Sequence, residues 1–436
     1  MSRLALLLAC AASLVAADRS RHVIVVSLDG FPAYALRDPS VPFPILRRFQ
    51  VEGASADAML PVNPTVTWPN HTAIISGVNV ASHGVIYNGL PVRPAPGKSL
   101  KVEPWVPKTE LVQARTVYDA AHDAGLTTAE VDWVAIYKPP TIDFSFPEEP
   151  SPDGKIEKEM LAAGAVTADE LRNWKKTNNL MHDDVWTRAA AFIIEKHKPN
   201  LLMYHLLLTD SVQHSYGARS LAANSALILA DRQLQRIVDA VNRAGIAATT
   251  TIFVVSDHGF KTYHHVIHPN ALLKQKGLLR SADDCDGWVI PEGGSAMVYV
   301  TREEKRKEVL AAFQAEIPGV SEVIAPENYH KYGYPAPTPG GRMADLVLAA
   351  ANDYGFDGRV DGDLNTDVPA GSSPGNHGYL NSDPDMNAIL VAWGAGIRPG
   401  VKTPPKPNVD VAATIARLLD INFTGIQGKP LVEFLK

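Results

Sequence analysis

Apolar runs rich in Val and Ile recur along the chain, and each closes on polar residues or glycine. Residues 22–28 read HVIVVSL and lead into Asp29-Gly30. Residues 127–134 form a second run. The run 201–208 leads into Thr209-Asp210, 250–255 into Ser256-Asp257-His258-Gly259, and 388–393 into Gly394. Short, continuously apolar segments of this kind predict strands buried on both faces, as in a parallel sheet covered by helices. Between them lie segments with apolar residues at helical spacing: 70–77 behind a Trp-Pro pair, 184–197, a long amphipathic stretch over 220–243, and 409–420 with Asn408 as its expected cap.

Strands alternating with helices predict an α/β fold, a three-layer sandwich with a central, mostly parallel sheet. Residues 91–115 and 324–375 are richer in Pro, Gly and polar residues. We read 18–436 as a single catalytic domain, with loop or cap insertions near 91–180 and 260–375.

The N-terminus changes the picture of where the protein works. Arg3 precedes an apolar run from Leu4 to Val15, and the small residues Ala16 and Ala17 precede Asp18. This is the pattern of a cleaved secretory signal peptide over 1–17, too short to span a bilayer. A secreted or periplasmic location follows. Cys10 and Cys285 are the only cysteines. Loss of the signal leaves Cys285 without a partner, so the fold is expected to rest on its core, with metals adding to it. A formal net charge of −6 argues against a nucleic-acid-binding surface, and no later stretch is long enough to cross a membrane.

In open α/β sheets, ligands bind beyond the carboxyl ends of the strands. Asp29, the pair Asp210 and His214, and the pair Asp257 and His258 follow such ends, and His377 lies in the loop Pro374-Gly375-Asn376-His377-Gly378. Each has an ordinary explanation alone: Asp29 suits a turn before Gly30, and a single loop histidine is commonly just solvated. Asp210 and His214 stand four apart, so one helical turn puts them on one face. Together, oxygen and imidazole groups without thiolate suit zinc or another borderline metal. Thr67, in Pro64-Thr65-Val66-Thr67-Trp68-Pro69-Asn70-His71-Thr72, falls at an expected helix start, where unpaired N–H groups attract an anion. It is a candidate nucleophile, and it would also serve as a plain N-cap.

These residues resemble the nucleotide pyrophosphatase/phosphodiesterase family of the alkaline phosphatase superfamily. The resemblance is carried by Ser27-Leu28-Asp29-Gly30-Phe31 and by Pro64 to Thr72 with Ser76-Gly77. It continues through Ser82-His83-Gly84 to Asn88, Asp210-Ser211 with His214 to Gly217, Ser256 to Gly259, and His377-Gly378-Tyr379. It implies an alkaline-phosphatase-like fold and two zinc ions. One would be held by Asp210, His214 and His377, the other by Asp29, Asp257 and His258 with Thr67. It further implies attack by Thr67 on a phosphate diester, a phospho-threonine intermediate, and a hydrogen bond from Asn88, with the backbone N–H near Trp68, to a phosphate oxygen. His71 and His83 belong to the pattern as supporting residues.

The expected substrate is a small phosphate ester, nucleotide-like because Trp68 occupies the place where such relatives set an aromatic ring against the base. Trp174 is a candidate for the second wall. Leu206-Leu207-Leu208-Thr209 departs from the acidic stretch usual before the metal-binding Asp. Lys138 lies in the region where phosphomonoesterases and phosphonate hydrolases of the superfamily place a cation, which keeps those activities as an alternative. A non-catalytic metal- or ligand-binding role is a third reading. No Cys/Ser-x-Pro-x-Arg context for a sulfatase nucleophile occurs.

Overall fold

Successive residues of a strand point to opposite faces of its sheet, and β1 (His22–Leu28) shows where both faces go. Val23 and Val25 enter one hydrophobic core, and Ile24, Val26 and Leu28 enter another. The computed structural model describes residues 18–93 and 95–436; the expected signal peptide, 1–17, lies outside the described residues. The central sheet has eight strands: β1, β2 (Ala54–Ala56), β3 (Thr128–Val131), β4 (Phe144–Phe146), β5 (Leu201–Leu206), β6 (Thr250–Val255), β7 (Leu390–Gly394) and β8 (Val401–Thr403). Their spatial order is β8-β2-β7-β6-β1-β5-β3-β4. Only β7 runs against its neighbours.

Helices cover both faces. On the Ile24 side lie α1 (Pro44–Glu52), α4 (Asn179–His197) and α6 (Leu221–Arg243). On the Val23 side lie α2 (Thr67–Ser76), α3 (Val117–Asp123) and α7 (Asp410–Leu419). Between β5 and α6 runs α5 (Leu208–Tyr216). This is the three-layer arrangement expected from the alternation, and it matches the alkaline-phosphatase-like fold that the resemblance implied.

Several element ends differ from the sequence pattern, each for a local reason. Helix α2 starts three residues early because Pro69 falls in its first turn, where a missing N–H costs nothing. The apolar run 201–208 divides: the Asp183 carboxylate accepts from the N–H groups of Leu207 and Leu208 at 2.9 and 3.3 Å, so the strand gives way to α5. Asn408 does not cap α7. Its side chain donates to Asn70 Oδ1 at 3.0 Å, and the helix begins after Val409 with Asp410 in its first turn.

The 260–375 region holds more structure than its composition implied. Gly287–Pro291, Ser295–Val300, Leu346–Ala350 and Val320–Ile324 form a four-stranded antiparallel sheet over cores of its own. Its first hairpin braces the loop of His377, with Gly294 N–H donating to the His377 carbonyl at 2.7 Å. Among the described residues, no helix is long and apolar enough to cross a membrane.

Candidate metal centre and active site

Parallel strands end on one side of the sheet, so the residues just after β1, β5 and β6 converge. Gly30 makes the convergence close. It adopts φ +62, and a Cβ there would stand 2.9 Å from the Phe260 ring; its N–H donates to Asp257 Oδ1 at 3.0 Å. Ligand atoms of Asp29, Asp257 and His258 lie within 4.8 Å of one another, and so do those of Asp210, His214 and His377. The two triplets adjoin: the His258 and His377 rings stack at 3.8 Å between centroids. They are the same sets that the family resemblance implied.

Whether these residues fit metal ions can be judged from their unused atoms. Asp29 Oδ1, Asp257 Oδ2 and Asp210 Oδ1 are buried without a hydrogen-bond partner. All three histidines direct Nδ1 at a main-chain carbonyl: His258 to Gly259 at 3.1 Å, His214 to Gly375 at 3.1 Å, His377 to Thr65 at 3.0 Å. That leaves each Nε2 facing a carboxylate, with His258 3.1 Å from Asp257, His214 3.4 Å and His377 3.7 Å from Asp210. Buried orphan oxygens opposite bare imidazole nitrogens form a candidate donor set for a metal ion, with the tautomer set from behind.

The electrostatics point the same way. Burial, with the neighbouring Asp257 and Asp210, pushes Asp29 up to about 7. Burial alone would lower His258, but Asp257, Asp29 and Asp210 raise it to about 9. Uncompensated carboxylates crowded into a buried centre repel; bound cations would relieve that repulsion.

Thr67 opens α2 and is only 8% exposed, with its Oγ1 3.5 Å from His258 Nε2. Asn88 and the Trp68 N–H, expected to act side by side, are bonded to each other: Asn88 Oδ1 accepts at 2.9 Å. Burial pushes His71, one turn into α2, down to about 3. It is therefore neutral, with Nδ1 2.9 Å from the Thr67 carbonyl. His83 is likewise buried and held down to about 3. His264 and His265 pair with Asp353 and Asp367 at 2.6 and 2.7 Å, apart from both triplets.

Trp68 lines a recess with Trp105, Trp133, Tyr137, Lys138 and Glu148. Trp174, the candidate for a second wall, does not line this recess. That ring stacks on His182 at 4.1 Å, meets Trp186 at 5.4 Å, and belongs to the core on the α4 face. An aromatic at helical spacing reads alike in a core and in a pocket, and here the core takes it. Sequence reasoning also passed over His205 and Asp132. Both are buried, and His205 Nε2 is 2.9 Å from Asp29 Oδ2. Their one legible signal was a polar side chain within or just after an apolar strand.

Comparisons with known proteins bear on the family and the fold. The chain is 24% identical to ectonucleotide pyrophosphatase/phosphodiesterase family member 7 of Mus musculus, over 96% of this chain and 87% of that protein. It is 22% identical to the bis(5'-adenosyl)-triphosphatase enpp4 of Xenopus laevis, over 94% and 78%. The fold resembles murine family member 5 with a TM-score of 0.73 at 19% identity, covering 95% of this chain and all of that one. Another structure of that murine protein, an inactive Thr-to-Ala variant in complex with AMP, gives 0.72 at the same identity, over the same shares of both chains. The sequence model of the type I phosphodiesterase/nucleotide pyrophosphatase family matches residues 23–380, which span the convergent strand ends, Thr67 and both triplets, and the chain belongs to that family of hydrolases acting on phosphoric ester bonds.

Proposed function

We propose that the protein is an exported two-zinc phosphodiesterase, cleaving nucleotide-like phosphate diesters through a phospho-threonine intermediate. Residues 1–17 would be its cleaved export signal, directing it to a secreted or periplasmic location, and 18–436 its single catalytic unit. One observation carries the reading: the Thr67 hydroxyl, at a helix N-terminus, lies 3.5 Å from His258 Nε2, beside two adjoining triplets in which Asp29, Asp257 and Asp210 each keep a buried oxygen without a hydrogen-bond partner. Asp210, His214 and His377 would hold one zinc; Asp29, Asp257 and His258, with Thr67, the other. When bound, the ions supply Lewis-acid stabilisation of the attacking and leaving oxygens.

The Thr67 hydroxyl loses its proton as Oγ attacks phosphorus, the P–O bond to the leaving ester group breaks, that group takes up a proton and departs as an alcohol, and the phosphoryl group, still bearing its other ester, is carried on Thr67. Water then cleaves that link, freeing a phosphate monoester and restoring the hydroxyl. Asn88 is fixed to the start of α2 through its Oδ1. Its amide N–H groups are left to donate to a non-bridging oxygen. Trp68 offers an apolar wall to the second ester group. The inactivity of the Thr-to-Ala variant of the murine neighbour, and the AMP it holds, support both the nucleophile and a nucleotide-like substrate.

Lys138 lines the same recess, which favours a second reading, phosphomonoester or phosphonate cleavage. The test is kcat/KM for a nitrophenyl phosphodiester, a nitrophenyl monoester and a nucleotide ester on zinc-replete enzyme. A better diester supports the first reading; a better monoester replaces it with the second.

A further inference from the structure

Asp29 is completely buried, and its two oxygens have different surroundings. Oδ1 has no hydrogen-bond partner and lies 3.5 Å from His258 Nε2, on the side of the metal triplet. Oδ2 lies 2.9 Å from Nε2 of His205. His205 is the penultimate residue of β5, in register with Ser27 of β1, and is 1% exposed. Its other nitrogen, Nδ1, faces Asp132 alone: the main-chain carbonyl at 3.0 Å and the carboxylate Oδ2 at 2.9 Å.

Asp132 follows β3 directly. It is 1% exposed; neither carboxylate oxygen has a hydrogen-bond partner among the described residues, and Oδ2 meets only the His205 ring, as an ion pair at 2.9 Å. Its backbone is held at φ +55, a region that Asp tolerates better than most side chains, while its N–H donates to Phe146 at 3.0 Å. The chain thus spends a strained residue and a buried carboxylate on one contact, to His205. The His205 ring is in turn clamped by His71, edge-on at 4.7 Å, and His71 by Trp133 at 4.9 Å.

We propose that Asp132 and His205 are positioning residues, a buried carboxylate–imidazole–carboxylate chain that locks Asp29 Oδ2 and presents Oδ1 to the metal of the Asp29, Asp257 and His258 triplet. The proposal rests on the two-metal reading above. Neither residue touches substrate, so the direct consequence is on metal affinity. Partners standing behind a ligand are typically worth about 10- to 100-fold in affinity. Asp257 needs no such device, because the Gly30 N–H already holds its Oδ1.

The test is zinc binding to the full mature chain by competition with a chromogenic chelator, resolving two dissociation constants, beside the melting temperature of the metal-free protein. Asp132→Asn and His205→Leu should weaken one site by about 10- to 100-fold and leave the other as in the parent. His205→Gln, whose amide can still donate to Asp29, should recover part of the loss. Metal-free melting temperatures should stay close to the parent's. Variants that bind both zincs like the parent would overturn the positioning role. Equal weakening of both sites with a large fall in metal-free melting temperature would also overturn it, in favour of a general structural role. A parent chain that binds no zinc would instead overturn the two-metal reading on which the proposal stands.

Discussion

Removal of metal should cost this protein stability as well as activity, by an amount that can be worked out. Asp29 and Asp257 are 0% exposed and the Asp210 side chain 13%, so the unfolded chain, which scatters them, offers no comparable site. At zinc concentrations about 1,000 times the dissociation constant, each site adds about 4 kcal/mol to the folded state, and two add about 8. For a chain of roughly 420 folded residues the entropy of unfolding is about 0.9 kcal/mol/K near 60 °C. The melting temperature should therefore fall by about 9 °C when zinc is stripped, and return on readdition. Differential scanning calorimetry with excess zinc and with a strong chelator measures this directly. A shift below about 1 °C, with elemental analysis showing the metal gone, would refute the claim that these buried carboxylates are arranged for cations.

Thr67→Ala should lower kcat by at least roughly 10³-fold with zinc content near that of the parent, and Thr67→Ser should keep part of the activity; turnover and elemental analysis decide. Diesters should exceed monoesters in kcat/KM by at least about tenfold, on the order of 1.4 kcal/mol, with Lys138→Ala affecting monoester cleavage no more than diester cleavage. Helix α1 has no side-chain cap of its own, and Asp231 of α6 accepts from the N–H groups of Ile45 and Leu46 at 3.1 and 2.8 Å. Asp231→Ala should accordingly destabilise the fold by about 2–3 kcal/mol in chemical denaturation. Loss of under about 0.5 kcal/mol would mean that water replaces the carboxylate without penalty.

The residues proposed for the metals were legible in the sequence because a parallel sheet gathers strand ends in one place. Asp29, Asp210 and Asp257 each follow an apolar run, and the run itself predicts the side they face. His377 follows no strand of the central sheet; its glycine-rich loop marked it only weakly, and family likeness supplied the rest. The antiparallel sheet over 287–350 escaped notice because it lies in a region read as insertions and one of its strands, Val320–Ile324, carries Ser and Glu. Trp174 and Asn408 illustrate a different limit: an aromatic at helical spacing and an Asn before a helix have strong local meanings, and tertiary partners overrode both. The pair His205 and Asp132 depends on two strands 73 residues apart in sequence, a proximity no local pattern encodes.

The histidine tautomers are set by the carbonyls of Thr65, Gly259 and Gly375, groups that every amino acid possesses. No single side-chain replacement at those three positions deletes the acceptor, so this part of the centre is shielded from mutational drift. Asp29 differs, because its second oxygen leans on a side chain, and side chains change one codon at a time. If lineages or engineers retune the metal preference of this scaffold without touching a ligand, position 205 is where such variation should concentrate.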